Sequence, residues 1–307
     1  MTRRTTTALR ITVSLGLLTL LLTQVNAGAV AARLAALDVR WLLPIFALTV
    51  LQVIASAWRW RFTAARLGLP LPLGTAIREY YLATFANQVL PGGVLGDVGR
   101  AGRHAMASGE PGPAARAVVL ERASGQVAAA VITVAALAVG APALPSDATT
   151  VALIAGGVIA TLAAMAFLRV RRQPAGMLAV FWRDTVRALL SRDAWLPQLA
   201  GSLAIAASYV GVYALAGIAL DTPDLTTWLP LVPLVLLAMV IPISVAGWGV
   251  REGVAAATWT AAGLNPADGT ALAIAYGALV LVASLPGLVF LLFPATGGAA
   301  RSSGPSR

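Results

Sequence analysis

The residues best suited to chemistry lie in one short polar stretch of an otherwise apolar chain. Residues 87–103 read NQVLPGGVLGDVGRAGR and carry Asn87, Asp97, Arg100 and Arg103 beside one proline and five glycines. Proline and glycine interrupt helices, and hydrocarbon leaves the freed backbone groups without hydrogen-bond partners. The stretch is therefore predicted to be a broken or re-entrant element, buried among other helices or lining a wet cavity.

This stretch has features that suit an anion. Successive amides at Gly92 and Gly93 could form an anion-binding nest, and a helix beginning near Asp97 would direct its positive end at the anion. Arg100 and Arg103 lie three residues apart, on one helical face, and could fork onto a phosphodiester. The structural alternative is that Asp97 neutralises an arginine while the glycines permit close helix packing. A nucleotide P-loop is excluded because its Lys-Ser/Thr ending is absent.

Two pairs of adjacent charged residues complete the candidate site. Glu121 and Arg122 open an apolar segment, whereas Arg251 and Glu252 close a second stretch with one proline and three glycines, residues 242–253. Neighbours on a helix do not face each other, so each residue is expected to pair elsewhere. The predicted partners are Arg100 or Arg103 for Glu121, and an arginine of the first stretch for Glu252. Structural ion pairs and substrate-binding roles both remain open for these residues.

The predicted substrate-binding residues can be stated together. They are Asn87, Gly92, Gly93, Asp97, Arg100, Arg103, Glu121, Arg122, Arg251 and Glu252. No catalytic residue, metal site or cofactor is predicted. The chain has no cysteine and a single histidine, which excludes disulfides, thiolate metal sites and a zinc site built from histidine alone.

The composition indicates an all-α polytopic membrane protein. Of the 307 residues, 59% are hydrophobic and 11% are charged, which is atypical of a soluble domain. The net charge of +10 comes from arginines that flank apolar segments. Positive-inside topology and contact with anionic lipid explain them better than nucleic-acid binding does. Residues 1–295 are predicted to form one membrane domain, and residues 296–307 a short polar cytoplasmic tail.

Six apolar segments are predicted to span the membrane. They are residues 11–25, 41–57, 123–140, 151–168, 197–220 and 271–293. The protein is predicted to lie in the cell membrane, and the basic flanks of its spans predict that both termini are cytoplasmic. A cleaved signal peptide is the alternative for the first segment. Residues 174–195 are predicted to be an amphipathic helix in the cytoplasmic interface, with Arg183 and Arg187 on its polar side; a plain connector is the alternative.

Two further segments are too short to span. Residues 80–90 number eleven, whereas a span needs about twenty. Arginine clusters flank this segment on both sides, which favours a dip from the cytoplasm and a return over a full crossing. Residues 228–263 must cross an even number of times, either as two short spans or as a second re-entrant pair from outside. The layout resembles an inverted repeat with a site where the two broken elements meet.

These motifs also carry a resemblance to a known family. Residues 87–100 (NQVLPGGVLGDVGR), 121–125 (ERASG) and 242–253 (PISVAGWGVREG) resemble the lysylphosphatidylglycerol synthase transmembrane region, or flippase-like, family. In the synthases this region flips aminoacylated phospholipid, and a soluble C-terminal domain makes that lipid. No such domain is found in this sequence, so the resemblance implies a stand-alone membrane domain rather than a synthase. The re-entrant helices predicted above from charge and length are also similar to those of this family.

The leading hypothesis is an integral membrane lipid translocase that binds an anionic head group between the two re-entrant elements. Its substrate would be an anionic phospholipid or a lipid linked to polyprenyl phosphate. One alternative is a membrane-embedded transferase acting on such lipids, with carboxylates as bases or metal ligands. Another is a non-catalytic subunit of a lipid or glycan export system, with a synthase or glycosyltransferase partner. A homo-oligomer is compatible with each, and an enzyme is the less favoured class.

Overall fold

The computed structural model describes residues 27–90, 93–140, 176–239 and 245–293. The elements assigned within these ranges are all helical, which confirms the all-α class. They are α1 (Ala27–Ala35), α2 (Leu42–Arg66), α3 (Leu73–Val89), α4 (Leu95–Ser108), α5 (Pro111–Gly140), α6 (Gly176–Thr185), α7 (Trp195–Ala219), α8 (Leu225–Trp228), α9 (Val232–Ala238), α10 (Val250–Ala261), α11 (Pro266–Ala283) and α12 (Pro286–Leu292). The predicted spans 11–25 and 151–168, the tail 296–307 and Gly92 lie outside the described residues.

Four helical segments are long and apolar enough to cross a membrane: Val39–Arg66, Pro111–Ala138, Trp195–Ala219 and Pro266–Leu292. They coincide with four of the six predicted spans, so the chain is a multi-pass membrane protein. The helix that contains most of the predicted span 123–140 begins earlier, at Pro111. Proline suits the first position of a helix, because its missing N–H would have no intrahelical partner there.

The first broken element is a helical hairpin made of α3 and α4. Asn87 near the C-terminal end of α3 accepts a hydrogen bond from the Gly96 amide at the start of α4. Glu79, nearer the N-terminal end of α3, accepts one from Arg103, which lies later in α4. The two helices are therefore antiparallel, as a dip and return requires. The hairpin begins at Leu73 rather than at residue 80, because the helix starts directly after Pro72.

Gly96 permits the two limbs of this hairpin to meet. A Cβ atom added at Gly96 would lie 2.0 Å from the Ala83 carbonyl oxygen, so only glycine allows this approach. Close approach of helix backbones through small residues is the usual means of packing helices in lipid.

The second broken element is a hairpin of the same kind. Its first limb runs from α8 to α9 and its second limb is α10, with the break between Met239 and Gly249. Gly247 lies against the Met239 side chain near the break, whereas the rings of Trp228 and Trp259 stack at 6.0 Å further from it. The limbs are again antiparallel, and each is shorter than the roughly twenty residues of a span.

The segment predicted to lie in the membrane interface begins with α6 and continues as a π-helical turn, Val186–Leu190. Met177 is 84% exposed and Arg183 is also exposed. Asp184 instead turns inward and accepts a hydrogen bond of 2.6 Å from Arg116 of α5. The Arg116–Asp184 ion pair thus ties the segment to the helix bundle, while Met177 and Leu178 remain exposed.

Candidate functional site

The two hairpins meet at a cavity of about 710 Å³. The first hairpin contributes Asn87, Gly93 and Asp97, and the second contributes Met239 and Gly247 from either side of its break. This volume is within the range of about 300–1,000 Å³ that is usual for small-molecule sites. A site where the two broken elements meet was the sequence-based expectation.

The cavity reaches the outer surface between α4 and α5. Val94, Val98 and Val119 all line it, and they are 52%, 65% and 51% exposed. These three side chains give the cavity an apolar mouth, which would suit contact with lipid tails.

A cluster of five charged residues lies at one wall of the cavity, and four of the five are buried. The Arg59 Nη2 atom lies 2.5 Å from Glu121 Oε1, and Arg100 Nη2 lies 2.6 Å from Glu121 Oε2. Arg100 Nε lies 2.9 Å from Asp97 Oδ1, and Arg122 also binds Asp97. Three arginines thus share two carboxylates, and the cluster carries one positive charge in excess.

The members of this cluster differ in their access to the cavity. Arg59, Asp97 and Arg122 line it, whereas Arg100 and Glu121 lie behind the wall and are fully buried. The Arg122 side chain is 40% exposed, which makes it the most accessible of the three arginines. The predicted pairing of Glu121 with Arg100 is confirmed, and Glu121 and Arg122 do pair elsewhere, as expected for neighbours.

Arg100 is held by aromatic rings as well as by carboxylates. Its guanidinium carbon lies 4.5 Å from the centre of the Tyr80 ring and 4.8 Å from that of Trp60. Tyr80 itself lines the cavity and donates a hydrogen bond to Glu121. Arg100 therefore supports the wall from behind, and its cation–π contacts help to hold a charge away from water.

Arg103 belongs to a different part of the hairpin. Its Nε atom lies 2.5 Å from Glu79 Oε2, nearer the open end, and it does not line the cavity. Arg100 and Arg103 thus have different partners in the structure. The Gly96 amide at the start of α4 is also engaged, since it donates to Asn87 Oδ1 at 2.8 Å.

In the second hairpin, Arg251 and Glu252 bind each other, with Arg251 Nε 3.1 Å from Glu252 Oε1. The prediction that these neighbours pair elsewhere, and that Glu252 meets an arginine of the first element, was wrong. The reason lies at the helix start. The Gly249 amide donates to Glu252 Oε2 at 2.6 Å, and this folds the carboxylate back to the first turn, where the flexible Arg251 side chain reaches it.

Arg251 also lies behind the cavity wall. It is 1% exposed, and its guanidinium lies 4.9 Å from the Trp248 ring centre and 5.6 Å from that of Tyr276. Tyr276 lines the cavity. Each hairpin therefore holds one buried arginine against a tryptophan and a tyrosine, with the tyrosine facing the cavity. In the described ranges, Arg100 and Arg251 share no ion-pair partner.

A polar stripe on α2 was not recognised in the sequence. Thr49, Gln52, Ser56 and Arg59 all line the cavity from one face of this helix. Their spacing of three, four and three residues is that of a single helical face. By its position after an apolar span, Arg59 fits the basic flank that marks the cytoplasmic side, but a polar stripe in an apolar span indicates a wet interior face.

Hydrogen bonds from neighbouring side chains engage both carboxylates of the charged cluster. Each carboxylate of the charged cluster accepts hydrogen bonds from at least two donors: Asp97 from Asn87, Arg100 and Arg122, and Glu121 from Arg59, Arg100 and Tyr80. Among the described residues, no three His, Cys, Asp or Glu side chains gather as metal ligands. One positive charge of the cluster therefore has no carboxylate to balance it within the cluster.

Comparison with known proteins agrees with this architecture. A search of curated proteins and a search of solved structures each found no match. A sequence profile of the family described as Lysylphosphatidylglycerol synthase TM region matches residues 7–287, which include both hairpins and the charged cluster. Because this match covers most of its length, the chain belongs to the lysylphosphatidylglycerol synthase transmembrane-region family.

Proposed function

We propose that the protein is a lipid translocase that binds an anionic lipid head group in the cavity between its two hairpins. The observation that carries this proposal is the excess positive charge of the cluster formed by Arg59, Asp97, Arg100, Glu121 and Arg122. An unbalanced charge at membrane depth costs about 2.5–3.5 kcal/mol on insertion scales, so a phosphate that neutralises it would be bound favourably.

The two arginines of the cavity wall would contact the phosphate. Arg122 is partly exposed, and Arg59 lines the cavity although it is largely covered. A planar guanidinium can offer two parallel N–H groups to two phosphate oxygens. Arg100 and Arg251, behind Tyr80 and Tyr276, would stiffen the two walls instead of touching the lipid.

The apolar mouth suits the rest of a lipid. With the head group at Arg122, the acyl or prenyl chains would leave the cavity past Val98 and Val119 into the surrounding bilayer. Only the head group would then have to enter a polar environment during translocation. This division of a polar interior and a lipid-facing opening favours a translocase over a simple anchoring subunit.

The membrane-embedded transferase is the competing function. A general base needs a carboxylate that is free to accept a proton. Asp97, Glu121 and Glu252 are all engaged by arginines in the described structure, which supports the translocase. A transferase would be recognised by a new lipid product, whereas a translocase moves the lipid unchanged.

Reconstitution tests the proposal. Purified protein in liposomes with acyl-labelled phosphatidylglycerol should accelerate transbilayer movement without forming a new product. Arg122→Gln should slow the movement about tenfold or more, because a hydrogen bond to a charged group contributes about 1.5–3 kcal/mol. Arg61→Gln is the matched control, since Arg61 is exposed, lies on the same helix as Arg59 and does not line the cavity. Equal rates for wild type and Arg122→Gln would contradict the assigned site.

A further inference from the structure

The cavity contains uncharged hydrogen-bonding groups that the protein itself does not use. The Gln52 side chain and the Ser56 hydroxyl line the cavity, and neither has a protein hydrogen-bond partner in the described part of the chain. They lie one helical turn apart, on the same face of α2 as Arg59. Both are inside an otherwise apolar span, where an unused polar group is costly.

The charge of the cluster restricts the ligand further. One excess positive charge matches the single negative charge of a phosphodiester. An ammonium group would need a free carboxylate, yet Asp97 is already bound by Asn87, Arg100 and Arg122. Glu121 is fully buried behind the wall and is bound by two arginines. A cationic head group would thus meet an arginine-rich wall without a counter-charge.

Resting on the proposed translocase function, we infer that the substrate is a phosphodiester lipid with an uncharged, hydroxyl-rich head group and no ammonium group. Arg122 and Arg59 bind the phosphate, and Gln52 and Ser56 bind the hydroxyls beyond it. A phosphatidyl polyol and a polyprenyl-phosphate-linked sugar share this chemistry. An aminoacylated phosphatidylglycerol, with its ammonium groups, does not.

Competition binding with defined lipids tests this inference. Full-length protein in detergent is loaded with acyl-labelled phosphatidylglycerol, which is displaced by unlabelled lipids. Phosphatidylethanol is the informative competitor, because it is a phosphodiester of the same charge without hydroxyls. Phosphatidylglycerol should compete about fivefold or more better than phosphatidylethanol, as expected for two hydrogen bonds. Lysylphosphatidylglycerol and phosphatidylethanolamine should compete more weakly than both. A polyprenyl-phosphate-linked monosaccharide distinguishes the two lipid classes: stronger displacement than by phosphatidylglycerol indicates the sugar-linked lipid, and weaker displacement indicates the phosphatidyl polyol.

A double variant separates hydroxyl recognition from phosphate binding. Gln52→Leu with Ser56→Ala should abolish the preference for phosphatidylglycerol over phosphatidylethanol, while phosphatidylethanol binds as to wild type. Unchanged phosphatidylethanol binding also shows that this variant is folded. Ser208→Ala is the matched control, since Ser208 lies on α7, donates to the Ile205 carbonyl and does not line the cavity.

The outcomes distinguish this inference from the proposed function. If lysylphosphatidylglycerol competes as well as phosphatidylglycerol, or if the double variant keeps the wild-type preference, the inference is overturned while lipid binding stands. If no lipid, including unlabelled phosphatidylglycerol, displaces the label, then the proposed lipid-binding function fails together with the inference.

Discussion

Arg100 of α4 and Glu121 of α5 form an ion pair of 2.6 Å in which both side chains are fully buried. This contact joins the first hairpin to the longest described helix. Removing one partner of a buried pair leaves an uncompensated charge, at a cost of about 3–5 kcal/mol. We therefore expect Glu121→Gln to lower the thermal unfolding temperature in detergent markedly, because it leaves Arg59 without a carboxylate partner and Arg100 with Asp97 alone.

A second substitution tests this explanation. Adding Arg100→Gln to Glu121→Gln should restore part of the lost stability, since one of the two arginines that lost Glu121 is then removed. Glu110→Gln is the control, because Glu110 is exposed in the turn before α5. If Glu121→Gln unfolds at the wild-type temperature, the charged cluster does not stabilise the fold.

Gly96 and Gly102 make a matched pair in α4. Gly96→Ala should prevent folding of the hairpin, because the new methyl group would overlap the Ala83 carbonyl. Gly102→Ala meets nothing within 4 Å and should be neutral or stabilising by about 0.5–1 kcal/mol, as alanine favours a helix. The yield of monodisperse protein and its thermal unfolding temperature measure both effects. Equal behaviour of the two variants would contradict the close packing of α3 and α4.

The hairpin geometry predicts the labelling of single cysteines, which can be added freely because the chain has none. Ala65→Cys precedes the first hairpin and Glu110→Cys follows it, so both should react with a membrane-impermeant maleimide from the same side. The arginine-rich flanks predict that this side is cytoplasmic. Thr226→Cys, after the α7 span, should react from the opposite side. Labelling of positions 65 and 110 from opposite sides would exclude a re-entrant hairpin.

The segment around α6 is predicted to bind anionic lipid surfaces. A peptide of residues 174–195 with both Arg183→Glu and Arg187→Glu should bind anionic vesicles more weakly than the native peptide. Each basic residue near such a surface contributes about 1 kcal/mol. The vesicle partition coefficient, measured by tryptophan fluorescence, gives the difference. If the native peptide binds neutral and anionic vesicles equally, these arginines have no role at the surface.

The sequence by itself determined the class of the protein and the position of its breaks. The apolar composition excludes a soluble domain, and the eleven residues before Pro91 are too few for a span, whereas residues 228–263 allowed either two short spans or a re-entrant pair. Because these constraints are local, they can be evaluated without knowing which helices pack together. The same local reasoning was inexact at helix starts, where Pro72 and Pro111 began helices earlier than hydropathy predicted.

The partners of the charged residues were decided only by the tertiary structure. Asp97 could be expected to bind an arginine, but its pairing with Arg122 depends on how α5 packs against α4. Arg59 enters the cluster because α2 packs beside both, 62 residues away from Glu121 in the chain. Arginine side chains are long and flexible, so several carboxylates are within reach of each one until the helices are fixed. The excess positive charge on which the proposed anion site rests follows from that packing, because it exists only once three arginines converge on two carboxylates.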